Sequence, residues 1–157
     1  MMDFNEYFEY IDGKLIWKVD KSTRVKSGTE AGSLLNNGYK RVKVNGKDYL
    51  THRVIFFMLK GYLPNELDHV NGNKLDNRIE NLRPATRQQN QANRSVRSKT
   101  GMKGVYKLRK VYVTQITVNN KRINLGTYTN LEEAAKVYDK AAIKYFKEFA
   151  KTNEYIK

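Results

Sequence analysis

This 157-residue chain has no cysteine, only two histidines, no long apolar run, and no acidic residue between Asn81 and Leu131. Without cysteine there is neither a disulfide nor a thiolate-held zinc. No apolar stretch nears the ~20 residues that a membrane helix needs. The N-terminus, Met1-Met2-Asp3-Phe4-Asn5-Glu6, is acidic and unlike a secretion signal. A soluble, cytoplasmic protein with no membrane partner is the expectation. What the chain does have is positive charge: 30 Lys plus Arg against 16 Asp plus Glu, a net +14. Eleven of those cations lie in the acid-free stretch, from Arg83 to Arg122. Ordinary solvated faces mix both signs. A cation-rich, acid-free stretch suits a polyanion, because each neutralised phosphate releases condensed counterions.

The length allows one ordinary domain or two very small ones, and the pattern favours two. Phe8 to Trp17 reads as a hairpin turned at Asp12-Gly13. Tyr39 to Leu50 reads as a second, turned at Asn45-Gly46. Thr51 is placed to cap a helix over His52–Lys60 that Gly61 ends. A strand is expected over Glu66–His69 and an extended stretch near Arg78–Leu82. Pro84 should break the chain, and Thr86 should cap a helix from Arg87 to Asn93. Arg94 to Gly101 is basic and almost devoid of apolar residues, which marks a linker. Three strands follow, over Gly104–Leu108, Val111–Val118 and Arg122–Gly126. Thr129 and Glu132 form a capping-box pattern ahead of a helix to Ala150. The expected class is α+β, with domains at 1–93 and 101–157 joined by a 94–100 linker.

The residues with chemistry to offer are Asp68-His69, Asn81 and Asn90. Phosphodiester hydrolysis needs a base for the attacking water and a cation to offset charge on the phosphorane and the leaving oxygen. Oxygen donors such as Asp and Asn suit Mg²⁺ or Mn²⁺. Asp68 and His69 are neighbours on a strand, so they serve one cleft only if the strand twists or ends there. His52, opening an apolar helix beside Arg53, reads as packing or a phosphate contact rather than chemistry.

Leu67 to Asn73, Asp76 to Arg83, and Thr86 through Asn90 to Asn93 resemble the HNH (ββα-metal) nuclease motif in the H-N-N variant of phage-encoded homing endonucleases. The spacing is His-x11-Asn-x8-Asn over about thirty contiguous residues. The resemblance implies that His69 is the general base and that Asp68 and Asn90 are the metal ligands. It gives Asn81 the task of bracing the loop and orienting the histidine. Asn90 stands where many members have a second histidine, which favours Mg²⁺ or Mn²⁺ over zinc. A phage-encoded enzyme acting in a bacterial host cell is implied.

The 101–157 domain resembles the APETALA-two (ethylene-response-factor) DNA-binding domain. It does so through Lys103-Gly104-Val105-Tyr106, Leu125-Gly126-Thr127-Tyr128, and Leu131-Glu132-Glu133-Ala134-Ala135 to Tyr138-Asp139. That family lays an exposed sheet face in the major groove. Here Tyr112 stands where a tryptophan is usual, so base preference does not transfer. Tyr106, Lys107, Arg109, Gln115, Thr117 and Arg122 are the candidate contacts on the strands. Arg94, Arg97, Lys99 and Lys103 are candidates ahead of them, and Arg53, Arg83 and Arg87 in the first domain.

The expectation is therefore an HNH nuclease module followed by a three-stranded antiparallel sheet on one helix. Its partner is double-stranded DNA, which it would nick or cut to leave 5′ phosphate and 3′ hydroxyl. No obligate protein partner is expected; the chain would act as a monomer or a DNA-assembled pair. The alternative is a sequence-specific DNA-binding regulator that does not cut.

Overall fold

Asp12 and Gly13 both take positive φ, 43° and 78°, as the two central residues of a type I′ turn must. The structure, a computed structural model, describes residues 3–96 and 98–153. Around that turn β1 (Phe8–Ile11) and β2 (Lys14–Trp17) pair antiparallel, Phe8 opposite Trp17. Asn45 and Gly46, with φ of 48° and 79°, make the second such turn. There β4 (Lys40–Val44) returns as β5 (Lys47–Leu50), and the short β3 (Ser33–Leu34) adds to the other edge of β4. Alternation buries Val42 and Val44 while Arg41 and Lys43 face water.

Helix α1 (Thr51–Lys60) starts at its expected cap, one residue earlier than the spacing predicts. Leu50 is the N-cap, without a side-chain hydrogen bond, and Thr51 is the buried first helical residue. Val54, Ile55 and Phe56 point into the core with Phe8, Leu15, Trp17, Val42, Val44, Leu67 and Leu82. Gly61 closes the helix in the left-handed region, its N–H donating to the Phe57 carbonyl. Strand β6 (Glu66–His69) forms as expected. The next stretch does not: residues Ile79–Asn81 make a 3₁₀ turn, and β7 is Leu82–Ala85. Pro84 therefore sits inside a strand rather than breaking the chain. A two-stranded sheet of β6 and β7 leaves β7 an outer edge, where a missing N–H costs nothing.

The chain divides into two compact units, Met1–Pro84 and Ala85–Lys157. Helix α2 (Arg87–Ala92), with Thr86 and Gln89 forming a reciprocal capping box, lies in the second unit. The sequence had placed the break at 93/94. Ala92 decides the matter, because it joins the core of Val105, Ile116, Ala134, Tyr138, Ala142, Phe146 and Phe149. Strands β8 (Val105–Leu108), β9 (Val111–Val118) and β10 (Lys121–Tyr128) form one antiparallel sheet with β9 central. Helix α3 (Leu131–Phe146) covers one face. Its cap is Asn130, not Thr129: the Asn130 side-chain Oδ1 accepts from the N–H groups of Glu132 and Glu133. The helix also stops short of Ala150. Lys147 turns to φ 49°, and a 3₁₀ turn takes Phe149 back into the core. Mixed helices and antiparallel sheets make this an α+β architecture. Among the described residues no helix is long and apolar enough to cross a membrane.

Candidate active site

Strand β6 ends at His69, so two adjacent side chains at a strand end come to lie in buried surroundings together. Asp68 and His69 are each 4% exposed. The loop that follows is built by asparagines. The Asn71 and Asn73 side chains accept from backbone N–H groups two residues on, the usual device of Asx turns. Arg78 clasps Asp76 with two hydrogen bonds of 2.8 Å, and the Asn71 amide donates to the same carboxylate. The guanidinium holds the Asp76 carboxyl far below the usual carboxylate range. At the other end of the loop, Gly13 packs so tightly that a Cβ there would lie 2.8 Å from the Arg78 nitrogen. The β1–β2 turn thus fixes the backbone at Asn77 and Arg78.

That placement matters because Asn77, buried at 3%, sets its Oδ1 2.9 Å from His69 Nε2. An amide oxygen only accepts, so Nε2 carries the proton and the lone pair falls on Nδ1. A neutral ring in this tautomer accepts a proton at Nδ1. Burial pulls the His69 pKa below its ordinary value, and Lys74 adds to the fall. The Asn77 bond and the Asp68 and Asp76 carboxylates oppose it.

The resemblance gives Asn81 two tasks, bracing the loop and orienting the histidine, and the structure shows the first: its Oδ1 accepts from the Asn71 N–H at 3.0 Å. Its amide donates to Asn71 Oδ1 at 3.1 Å and to the Asp76 carbonyl at 2.7 Å. Asn77 lies within the motif, where only its contact across the loop distinguishes it from the five other asparagines from Leu67 to Asn93.

Two more aromatic rings wall His69 in. His52 lies 5.1 Å from it, centroid to centroid, and Tyr39 lies 6.0 Å from it and 5.1 Å from His52. Lys74 sits 4.5 Å over the Tyr39 ring and donates to the Asn37 carbonyl. His52 is 5% exposed, and its pKa falls to about 3 through burial, with His69 and Arg53 adding repulsion. It is a neutral packing ring.

Several expected DNA contacts have structural partners. Arg53 donates to the carbonyls of Pro64 and Asn65, tying the segment after α1 to the helix. Arg83 grips Asp68, with Nε and Nη2 3.0 Å and 2.8 Å from Oδ2. The Lys103 ammonium donates to the carbonyls of Ala92 and Arg94, completing the C-terminal end of α2. Lys107 pairs in register with Tyr112 and lies over that ring. Arg109, at φ 54°, is the turn residue between β8 and β9. Arg87, Arg94 and Lys99 are exposed, and Arg97 lies outside the described residues.

The face of the sheet away from α3 follows from register. Thr114 donates to the Ala134 carbonyl and Ile116 enters the core, so both point at the helix. Val113, Gln115 and Thr117 then share the opposite face, with Tyr106 beside Val113, Asn124 beside Gln115 and Arg122 beside Thr117. A cleft of about 660 Å³ at the β8 edge has Lys99, Tyr106, Lys107 and Gln115 in its lining.

A divalent ion would find one buried carboxylate in the first unit, that of Asp68. Among the described residues no three His, Cys, Asp or Glu side chains come together. A cage of protein ligands, as structural zinc needs, is therefore not what these residues offer. Mg²⁺ asks less: it keeps several waters, takes phosphate oxygens, and binds through one or two carboxylates. A hard carboxylate oxygen on Asp68 fits that chemistry. Asn90, the other expected ligand, lies on α2 in the second unit.

Residues 49–92 match the HNH endonuclease family. The match runs from β5 through α2 and contains Asp68, His69, Asn77, Asn81 and Asn90. A protein of Acanthamoeba polyphaga mimivirus, described as an uncharacterized HNH endonuclease, is 36% identical over 107 residues. The aligned part is 66% of this chain and 56% of that relative, so the chain spans a little over half the relative's length. The residues around Asp68 and His69 thus carry an HNH endonuclease segment, and that family is one of nucleases acting on DNA.

Proposed function

We propose that this chain is a site-specific DNA endonuclease of the homing type, with a nuclease centre on Asp68 and His69 and a DNA reader in the C-terminal sheet. One observation carries the reading. His69 is buried beside a buried carboxylate and held by Asn77 as the Nε2–H tautomer, within the segment that matches HNH endonucleases.

In the proposed reaction His69 Nδ1 takes a proton from a water whose oxygen attacks the scissile phosphorus. The bond from phosphorus to the 3′ oxygen breaks and that oxygen takes a proton from solvent water, leaving 5′ phosphate and 3′ hydroxyl. Asn77 holds the ring through Nε2 as positive charge develops on it. Asn81 and the Asp76–Arg78 pair keep the loop, and hence Asn77, in register. Asp68 would offer a hard oxygen to a divalent ion, Mg²⁺ or Mn²⁺. When bound it supplies Lewis-acid stabilisation of the phosphorane and the leaving oxygen. Nothing else in this scheme depends on which of the two ions is used.

The reader is the sheet face of Tyr106, Gln115, Thr117 and Arg122. The resemblance to the APETALA-two domain supports laying it in the major groove, where amides address adenine and Arg addresses guanine. Phage coding and a bacterial host cell are part of the same proposal, as is action by one chain per nick or by a pair assembled on DNA.

The test is nicking of supercoiled plasmid by the purified chain, with and without Mg²⁺ or Mn²⁺, and mapping of the ends. Discrete cuts with 5′ phosphates that vanish in His69→Ala are expected. Specific binding with no cleavage under either ion would leave the DNA-binding regulator as the function.

A further inference from the structure

Asp68 is ion-paired with Arg83. Both are on the first unit, on neighbouring strands β6 and β7. The carboxylate is 5% exposed and the guanidinium 18%. Two guanidinium nitrogens converge on one carboxylate oxygen, at 3.0 Å and 2.8 Å. Burial makes this a strong pair to break from one side, because a lone buried carboxylate is costly. It also makes the pair a competitor. A divalent ion on either oxygen of Asp68 would sit within a few ångströms of a fixed positive charge, in surroundings too dry to screen it.

We propose that Arg83 is a resident counter-ion of Asp68, so that a divalent cation binds this carboxylate in competition with the guanidinium. The inference rests on the reading of Asp68 as the ion ligand. Its chemical content is an exchange of cations on one carboxylate, with no covalent step. In the resting protein the carboxylate is oriented and paired from within, and its affinity for a free ion is held down. Arg83 is thereby a residue that regulates ion loading, rather than the groove contact its charge suggested.

The experiment measures Mn²⁺ binding to the full chain without DNA, by loss of the free-ion paramagnetic resonance signal. Arg83→Met should bind Mn²⁺ tighter than the wild type, by roughly five- to a hundredfold, the range of ordinary coupling between sites. Arg83→Gln, neutral but still able to donate one hydrogen bond to Asp68, should show the same direction and serves if the Met variant does not fold. The gain should disappear in the double variants with Asp68→Asn. No gain in either neutral variant, with the far-ultraviolet circular dichroism of the wild type, overturns the inference and leaves the ion-ligand reading standing. A gain that survives Asp68→Asn puts the ion elsewhere and overturns that reading too.

Discussion

His69 and Asn77 act as a unit, and their separate removal should be distinguishable. His69→Ala should slow single-turnover cleavage by about two to four orders of magnitude, the contribution of a positioned base. DNA affinity should hold. Asn77→Ala keeps the base but frees the ring to take either tautomer, so the loss should be about ten- to a hundredfold, as for other outer-shell partners. An Asn77→Ala rate equal to that of the wild type would return the orienting task to another residue. His52 yields a prediction of a different kind, in stability. Its pKa falls from an ordinary 6.5 to about 3 in the folded chain. Between those values the unfolded chain holds the extra proton, so stability rises with pH and is lost as pH drops through the window. His52→Phe removes that proton and still fills the ring position. Thermal melts at pH 4.5 and 7 should show a smaller acid loss in His52→Phe than in the wild type; equal losses would mean His52 does not titrate this way.

At the scale of elements, α2 is the instructive case. Six residues are too few for a helix to stand by propensity, and α2 is held from outside. Thr86 and Gln89 close its start, the Gln88 side chain accepts from the Asn119 N–H at 2.9 Å, and Lys103 takes up carbonyls at its end. Lys103→Met should leave those carbonyls without their donor and cost about 1–3 kcal/mol. Burial, with Lys151 adding to it, pulls the Lys103 pKa down to about 8, while an unfolded lysine stays protonated to about 10.4. Unfolding therefore takes up a proton in that window, and stability rises with pH there. The melting temperature of the wild type should gain on that of Lys103→Met between pH 8 and 10. The sheet face offers a paired test of salt dependence. Arg122→Gln, on the face away from α3, should reduce the log–log salt slope of DNA binding by about one. Lys107→Gln, in register with Tyr112 on the α3 side, should leave the slope unchanged.

At the scale of the molecule, the segment that matches HNH endonucleases ends at residue 92, whereas the first compact unit ends at Pro84. The two boundaries differ because Ala92 is buried in the second core. A chain cut after Asn93 would keep Asp68, His69 and Asn77 on the first core but leave α2 without the residues that fold it. Its α2 amides should exchange hydrogen at unfolded rates, and cleavage should be lost rather than made less selective. Full cleavage by the 1–93 fragment would show that α2 needs nothing beyond Asn93. With the net charge of +14, the intact chain should bind DNA with affinity that falls steeply with salt.

Local signals in the sequence determined most of the elements. Asp12-Gly13 and Asn45-Gly46 set the two hairpins, Thr86 and Gln89 started α2, and Gly61 ended α1, because each acts through its own backbone within a few residues. Local pattern likewise put Asp68 and His69 on a strand over Glu66–His69, and the structure ends that strand at His69. Tertiary structure decided the partners. That Asn77 rather than Asn81 reaches His69, that Arg83 closes on Asp68, and that Lys103 ends a helix eleven residues upstream all depend on which side chains meet across loops and cores. Charge and residue type are the same for a groove contact and a buried partner. Only burial and distance tell them apart, and those belong to the folded chain.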